Sequence, residues 1–130
     1  MKYLLDANAV VAIFKGHARF IARLKRQTPQ DFAIPSIVAH ELFYGAYRSQ
    51  RVAENLARVE ALQFEVLEFD REDARLAGQA RAAMSLAGTP IGPYDVLIAG
   101  QALARDLTLV THNVREFQRV TGLKIEDWAR

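Results

Sequence analysis

The sequence predicts an α/β sandwich with a mostly parallel central sheet flanked by helices. Three observations lead there. Short apolar runs of strand length occur at 2–5, 32–35, 65–69 and 107–110, and segments of helical periodicity lie between them. Strands that alternate with helices have the crossover connections that parallel pairing requires. The 130 residues, 51% hydrophobic and 25% charged, suit a single globular domain over 1–130, without repeat, linker or low-complexity stretch.

The first strand, 2–5, stops at Asp6, and helical pattern continues to about Phe14, where Lys15-Gly16 breaks it. A second helix is expected from His17 to Gln27, ahead of Thr28-Pro29. Phe32-Ala33-Ile34-Pro35 reads as a short buried strand, with Ser36 offered as the N-cap of the next helix. Helices are expected over 37–48 and 51–62, and a strand from Glu65 to Phe69. Asp70, with Asp73 three residues on, caps a long helix that ends near Gly88. Thr89-Pro90-Ile91-Gly92-Pro93 forms a rigid loop, and Pro93 suits the first turn of a helix reaching Arg105. Leu107 to Val110 is a strand, 114–119 a short helix, and Lys124-Ile125 an edge strand, with Trp128 packing behind it.

Composition narrows the chemistry. The chain has no cysteine, which excludes disulfide scaffolds, thiolate zinc sites and a cysteine nucleophile. Lys plus Arg number 17 against 15 Asp plus Glu, a net charge of +2, so nucleic-acid binding must rest on where the charges sit. No run approaches the roughly 20 apolar residues of a membrane span. The first residues lack the zones of a secretion signal, so a cytoplasmic location without membrane contact is expected.

The most informative feature is where charge is missing. Residues 3–14 hold one charged side chain, Asp6; residues 32–47 hold one, Glu41; residues 82–104 hold one, Asp95. All three are acids in core-like segments. A buried carboxylate must be paired, hydrogen-bonded or bound to a cation. Asp6 also suits a helix cap, and Asp95 suits the third position of a helix, where the macrodipole favours it. Glu41 lies five residues past Ser36, too deep to cap, with no Lys or Arg within four positions.

Ligands of open α/β sheets sit beyond the carboxyl ends of the strands. Asp6 ends the first strand and Thr111-His112-Asn113 follow the last long one, so adjacent parallel strands bring Asp6 and Asn113 to one edge. Three clustered carboxylates without a basic neighbour call for a divalent cation, and oxygen ligands favour Mg²⁺ or Mn²⁺ over zinc. Such a site suits phosphodiester hydrolysis. Asn8, Thr111 and Glu116 are secondary candidates at the same edge. His40-Glu41 is not part of a zinc-protease H-E-x-x-H motif. Lys15, Arg19, Arg23 and Arg26 fall on one helical face and form a candidate stripe for tracking nucleic-acid phosphates; a solvated face is the plainer reading.

The ordered set KYLLDAN at 2–8, AHELFYGA at 39–46, GTPIGPYDVLIAGQALA at 88–104, LTLVTHNVREF at 107–117 and GLKIEDW at 122–128 resembles the PIN-domain ribonucleases, specifically the VapC toxins of VapBC toxin–antitoxin pairs. The resemblance implies a PIN-like three-layer sandwich. It implies Mg²⁺ or Mn²⁺ on Asp6, Glu41 and Asp95, and a fourth polar or acidic position at Asn113 or Glu116. It implies a toxin that cuts RNA, with tRNA and initiator tRNA as the narrower expectations. It implies a homodimer, a VapB-type antitoxin whose C-terminal tail covers the active site, and operator DNA reached only through that antitoxin.

The chain departs from the family in two places. Ala7 stands where the family has Thr or Ser, and Asn113 where many relatives have Asp. The alternative reading is therefore a catalytically weakened PIN-fold interaction domain. Haloacid-dehalogenase phosphatases need an acid where Asn8 stands, and receiver domains need paired early acids that are missing here.

Overall fold

A computed structural model describes residues 1–130. Five strands form one sheet: β1 (Tyr3–Leu5), β2 (Phe32–Pro35), β3 (Glu65–Leu67), β4 (Thr108–Val110) and β5 (Ile125–Glu126). Their order is β3-β2-β1-β4-β5 and every pairing is parallel. The mostly parallel sheet expected from the sequence is thus wholly parallel. Seven helices surround it: α1 (Ala7–Phe14), α2 (Ala18–Leu24), α3 (Ser36–Arg48), α4 (Val52–Glu60), α5 (Arg71–Leu86), α6 (Pro93–Ala104) and α7 (Val114–Phe117).

β1 lies at the centre of the sheet, and Leu4 and Leu5 are fully buried. Trp128 is buried against Tyr3, Phe20 and Phe32, which holds the chain end over the sheet. The opposite layer rests on a close crossing of α5 and α6. Gly100 makes it possible: a Cβ there would lie 2.4 Å from the Ala77 Cβ and 2.5 Å from its backbone. Beside it Asp73 is buried. It accepts hydrogen bonds from Gln101 (3.0 Å) and Arg105 (3.1 Å), and its carboxylate also closes the expected capping box with Asp70.

Two local expectations need correction. Ser36 does not cap α3; Pro35, with extended backbone, takes the N-cap position and Ser36 becomes the first helical residue. The second helix is shorter than His17–Gln27, because the His17 ring itself caps α2 by accepting the Phe20 N–H, and the helix ends at Leu24. Lys15 is therefore the C-cap of α1, and Arg26 lies beyond α2. Arg23 is engaged by Glu126 at 2.9 Å and sits over the Trp128 ring. Of the basic stripe, only Arg19 is an exposed side chain on α2 without an ion-pair partner.

Candidate active site

The register of β1 on β4 sets Leu5 beside Val110, so Asp6 and Thr111 leave the sheet side by side. Asp6 is buried, 5% exposed, at the turn from β1 into α1. Its two oxygens have different partners. Oδ1 accepts the Ala9 N–H at 2.9 Å, the capping bond expected at a helix start. Oδ2 accepts the Thr111 hydroxyl at 2.5 Å. Thr111 Oγ1 in turn accepts the Asn113 N–H at 2.9 Å, which leaves its single proton for Asp6.

The network continues outward. Asn113 Nδ2 donates to Glu116 Oε2 at 3.0 Å, and Glu116 shares a hydrogen bond with Asp95. Asp95 occupies the third position of α6, directly over Gly92, whose added Cβ would lie 3.4 Å from Asp95 Oδ2. Glu41 enters from the second turn of α3 and is half-buried. One hydrogen-bonded path therefore runs from Asp6 through Thr111, Asn113 and Glu116 to Asp95, with Glu41 close enough to act on both aspartates through its charge.

The electrostatics follow from that crowding. Burial raises the Asp6 carboxyl above its ordinary value, against the bonds from Thr111 and Ala9, and the Glu41 charge adds to the rise. Burial also raises Glu41, opposed by the neighbouring His40. Asp95 is pushed up to about 7 by burial first, then by Glu116, Asp6 and Glu41. Glu116 is held low by its bonds to Asp95 and Asn113. The two carboxyls shift in opposite directions, so Asp95 holds a proton more readily than Glu116 does. None of the four acids takes part in an ion pair; every salt bridge of the chain lies elsewhere.

Residues 3–123 match the PIN domain family. The "tRNA(fMet)-specific endonuclease VapC" of Salmonella typhimurium is 42% identical, over 98% of both chains. That of Shigella flexneri is 38% identical over 99% of both. The chain belongs to the VapC family of PIN-domain ribonuclease toxins. The crystal structure of DNA-bound VapBC from Salmonella typhimurium superposes with a TM-score of 0.93 at 42% identity, covering 98% of each chain. The PIN-like sandwich expected from the motifs is the observed fold.

The fold brings Asp6, Glu41, Asp95, Asn113, Thr111 and Glu116 to one edge. Asn8 is exposed on α1 and reaches Asp6 only through its backbone N–H. Ala7 brings no hydroxyl to the site, and the hydroxyl bonded to Asp6 is that of Thr111, at the end of the neighbouring strand. As placed, no three acidic side chains form a closed coordination shell. The donor set nevertheless fits a hard cation: it is all oxygen, carries excess negative charge, and has an open rim. Mg²⁺ characteristically takes one or two carboxylates directly and keeps several waters.

Reading the sequence alone missed one feature beside the site. His40 and Tyr94, chain neighbours of Glu41 and Asp95, are exposed and meet ring to ring across α3 and α6, centroids 5.6 Å apart. The helical spacing of His40, Tyr44 and Tyr47 was the signal that could have found the aromatic face. A groove of about 290 Å³ lies between α1, α3 and α4, lined by Val11, Phe14, Leu42 and Val59 together with Glu41, Asn55 and Arg58.

Proposed function

We propose that this protein is a divalent-metal-dependent endoribonuclease whose site is Asp6, Glu41, Asp95 and Glu116, positioned by Thr111 and Asn113. The observation that carries this reading is the gathering of four carboxylates, none of them in a salt bridge, crowded enough to push Asp95 up to about 7. Asp6, Glu41 and Asp95 would hold the metal. When bound, Mg²⁺ or Mn²⁺ supplies Lewis-acid polarisation of the phosphate and lowers the pKa of water. Asp6 is the fixed anchor, because both its oxygens are already oriented. Glu116, ionised and nearer to solvent, takes the proton from the attacking water. The water oxygen bonds to phosphorus while the ribose oxygen leaves and is protonated by solvent.

The substrate that fits best is a tRNA, with initiator tRNA as the narrower choice, since two relatives carry that specificity in their names. A cognate VapB-type antitoxin is the inhibitor. Its C-terminal tail would place apolar side chains in the α1–α3–α4 groove and an Arg or Lys against the acids, where a cation relieves the repulsion that metal otherwise relieves. The toxin acts as a homodimer in the cytoplasm, and the antitoxin contacts operator DNA. No helix is long and apolar enough to cross a membrane.

Against the alternative of a silent interaction domain stands the completeness of the carboxylate set, with Asn113 holding Glu116 in place. Cleavage of initiator tRNA by chelator-stripped protein, with and without added Mg²⁺ or Mn²⁺, tests the proposal. Full activity in chelator would refute the metal dependence, and no cleavage of any RNA would refute the ribonuclease reading.

A further inference from the structure

An anionic pocket that must accept an anionic polymer poses a binding problem. Asp6, Glu41, Asp95 and Glu116 repel the RNA backbone in the absence of metal, and no Lys or Arg pairs with them. Uncharged contacts beside the acids add affinity for the flanking nucleotides without adding to that repulsion. The surface beside the site offers one kind. Of the chain's four tyrosines, Tyr3 packs in the core, while Tyr44, Tyr47 and Tyr94 are 57%, 66% and 48% exposed.

Their placement is ordered. His40, Tyr44 and Tyr47 follow helical spacing along one face of α3. The ladder begins one residue from Glu41. At that end His40 meets Tyr94 edge to face, with planes at 74°, and Tyr94 directly precedes Asp95. At the far end Arg48 donates to the Tyr44 hydroxyl at 3.0 Å, which fixes the ring and leaves a guanidinium beside it.

We propose that His40 and Tyr94 form a base-stacking platform for the nucleotide next to the scissile phosphate, with Tyr44 continuing the track along α3 toward Arg48. The inference rests on the ribonuclease reading and deepens it. Exposed rings give sequence-tolerant affinity to single-stranded RNA, because every base has a π-face. A phosphate farther along the strand meets Arg48, away from the repelling acids. Unpaired loop nucleotides, which can splay out and stack, are the part of a folded RNA that such a surface takes. A second copy of this chain is the competing occupant; the continuity of the rings with the carboxylates favours the substrate.

The test measures KM and kcat on initiator tRNA, or on another RNA that the unsubstituted protein cleaves. Tyr94→Ala is expected to raise KM about 5- to 150-fold with little change in kcat; His40→Ala, which also removes the group opposing the rise at Glu41, is expected to raise KM over the same range. Tyr94→Phe and His40→Phe should restore KM, because the flat ring is what matters. The decisive arm uses RNAs carrying one abasic nucleotide at successive loop positions. At the contacted position Tyr94→Ala should cost nothing further, since the base it stacks on is already gone. Unchanged KM in both alanine variants, or the same penalty on every abasic RNA, overturns the platform. A KM rise that accompanies dissociation of a dimer in sedimentation assigns the face to a second copy and also overturns it. If the unsubstituted protein cleaves no RNA, the ribonuclease reading has failed, and the platform with it.

Discussion

Asp95→Asn should stabilise the metal-free protein while abolishing its activity. An unfolded Asp ionises near 3.8, whereas Asp95 in the folded chain is pushed up to about 7 by burial and by Glu116, Asp6 and Glu41. Between those values folding takes up a proton, so stability falls as pH rises through the window. The full displacement corresponds to about 4 kcal/mol between the two protonation states. Asp95 keeps part of its surface in water and Glu116 shifts the opposite way, so roughly half, about 2 kcal/mol, should reach folding stability. Asn is neutral and can donate to Glu116 as the protonated acid does. In EDTA at pH 8 the variant should be more stable by about 2 kcal/mol, or about 8 °C in Tm for a domain of this size. At pH 5 most of Asp95 is protonated in the folded chain, and the advantage should shrink to about 1 kcal/mol. In excess Mg²⁺ it should narrow or reverse, because the wild type binds the ion and the variant binds it poorly. Urea unfolding followed by circular dichroism at the two pH values measures this. A variant equal to or weaker than wild type at pH 8 in EDTA, or an advantage that grows as pH falls, would refute the account of the acid cluster.

Other consequences can be checked in the same preparations. Thr111→Val leaves Asp6 Oδ2 without its buried donor, and should lower kcat or metal affinity about 5- to 100-fold while the circular dichroism spectrum stays native. Gly100→Ala drives a methyl to 2.4 Å from Ala77 Cβ, so α5 and α6 must separate; destabilisation of about 1–3 kcal/mol is expected by urea titration, and neutrality would contradict the close crossing. At Asp73 burial works to raise the carboxyl, but bonds from Arg105, the Asp70 backbone and Gln101 outweigh it and hold it below 3.8. Its contribution is present above the unfolded value and is lost as pH falls through the folded one, so acid unfolding below about pH 3.8 should move to higher pH in Arg105→Ala. An unchanged acid midpoint would remove that pair from the account.

The sequence made the candidate site legible through what was missing. Single acids in long uncharged runs marked Asp6, Glu41 and Asp95, because burial penalises a charge unless something else requires it. Asp6 did not have to choose between helix cap and site: one oxygen caps α1 and the other faces Thr111. Strand order was legible only in part. Alternation of strands and helices implied parallel pairing, but that β1 sits between β2 and β4 is a tertiary outcome that no local pattern encodes. Glu116 could not be ranked against Asn113, because their roles depend on a side-chain bond between them across one turn. The single helical face expected for the basic residues is broken for a local reason. Gly16, at positive φ, and the His17 cap start a new helix there, so Lys15 and Arg23 never share one. Ion pairing of Arg23 with Glu126, more than a hundred residues away in sequence, lies beyond any periodicity argument.

The central claim is that uncompensated carboxylates recruit a divalent cation to cut RNA. Its most direct test strips the protein with EDTA, returns Mg²⁺ in steps, and follows initiator tRNA cleavage alongside the Asp6→Asn variant. The account predicts no cleavage in chelator, saturable recovery with Mg²⁺ or Mn²⁺ in the wild type, and none at any concentration in Asp6→Asn. Cleavage that ignores the metal, or an Asp6→Asn protein that recovers as the wild type does, would contradict it.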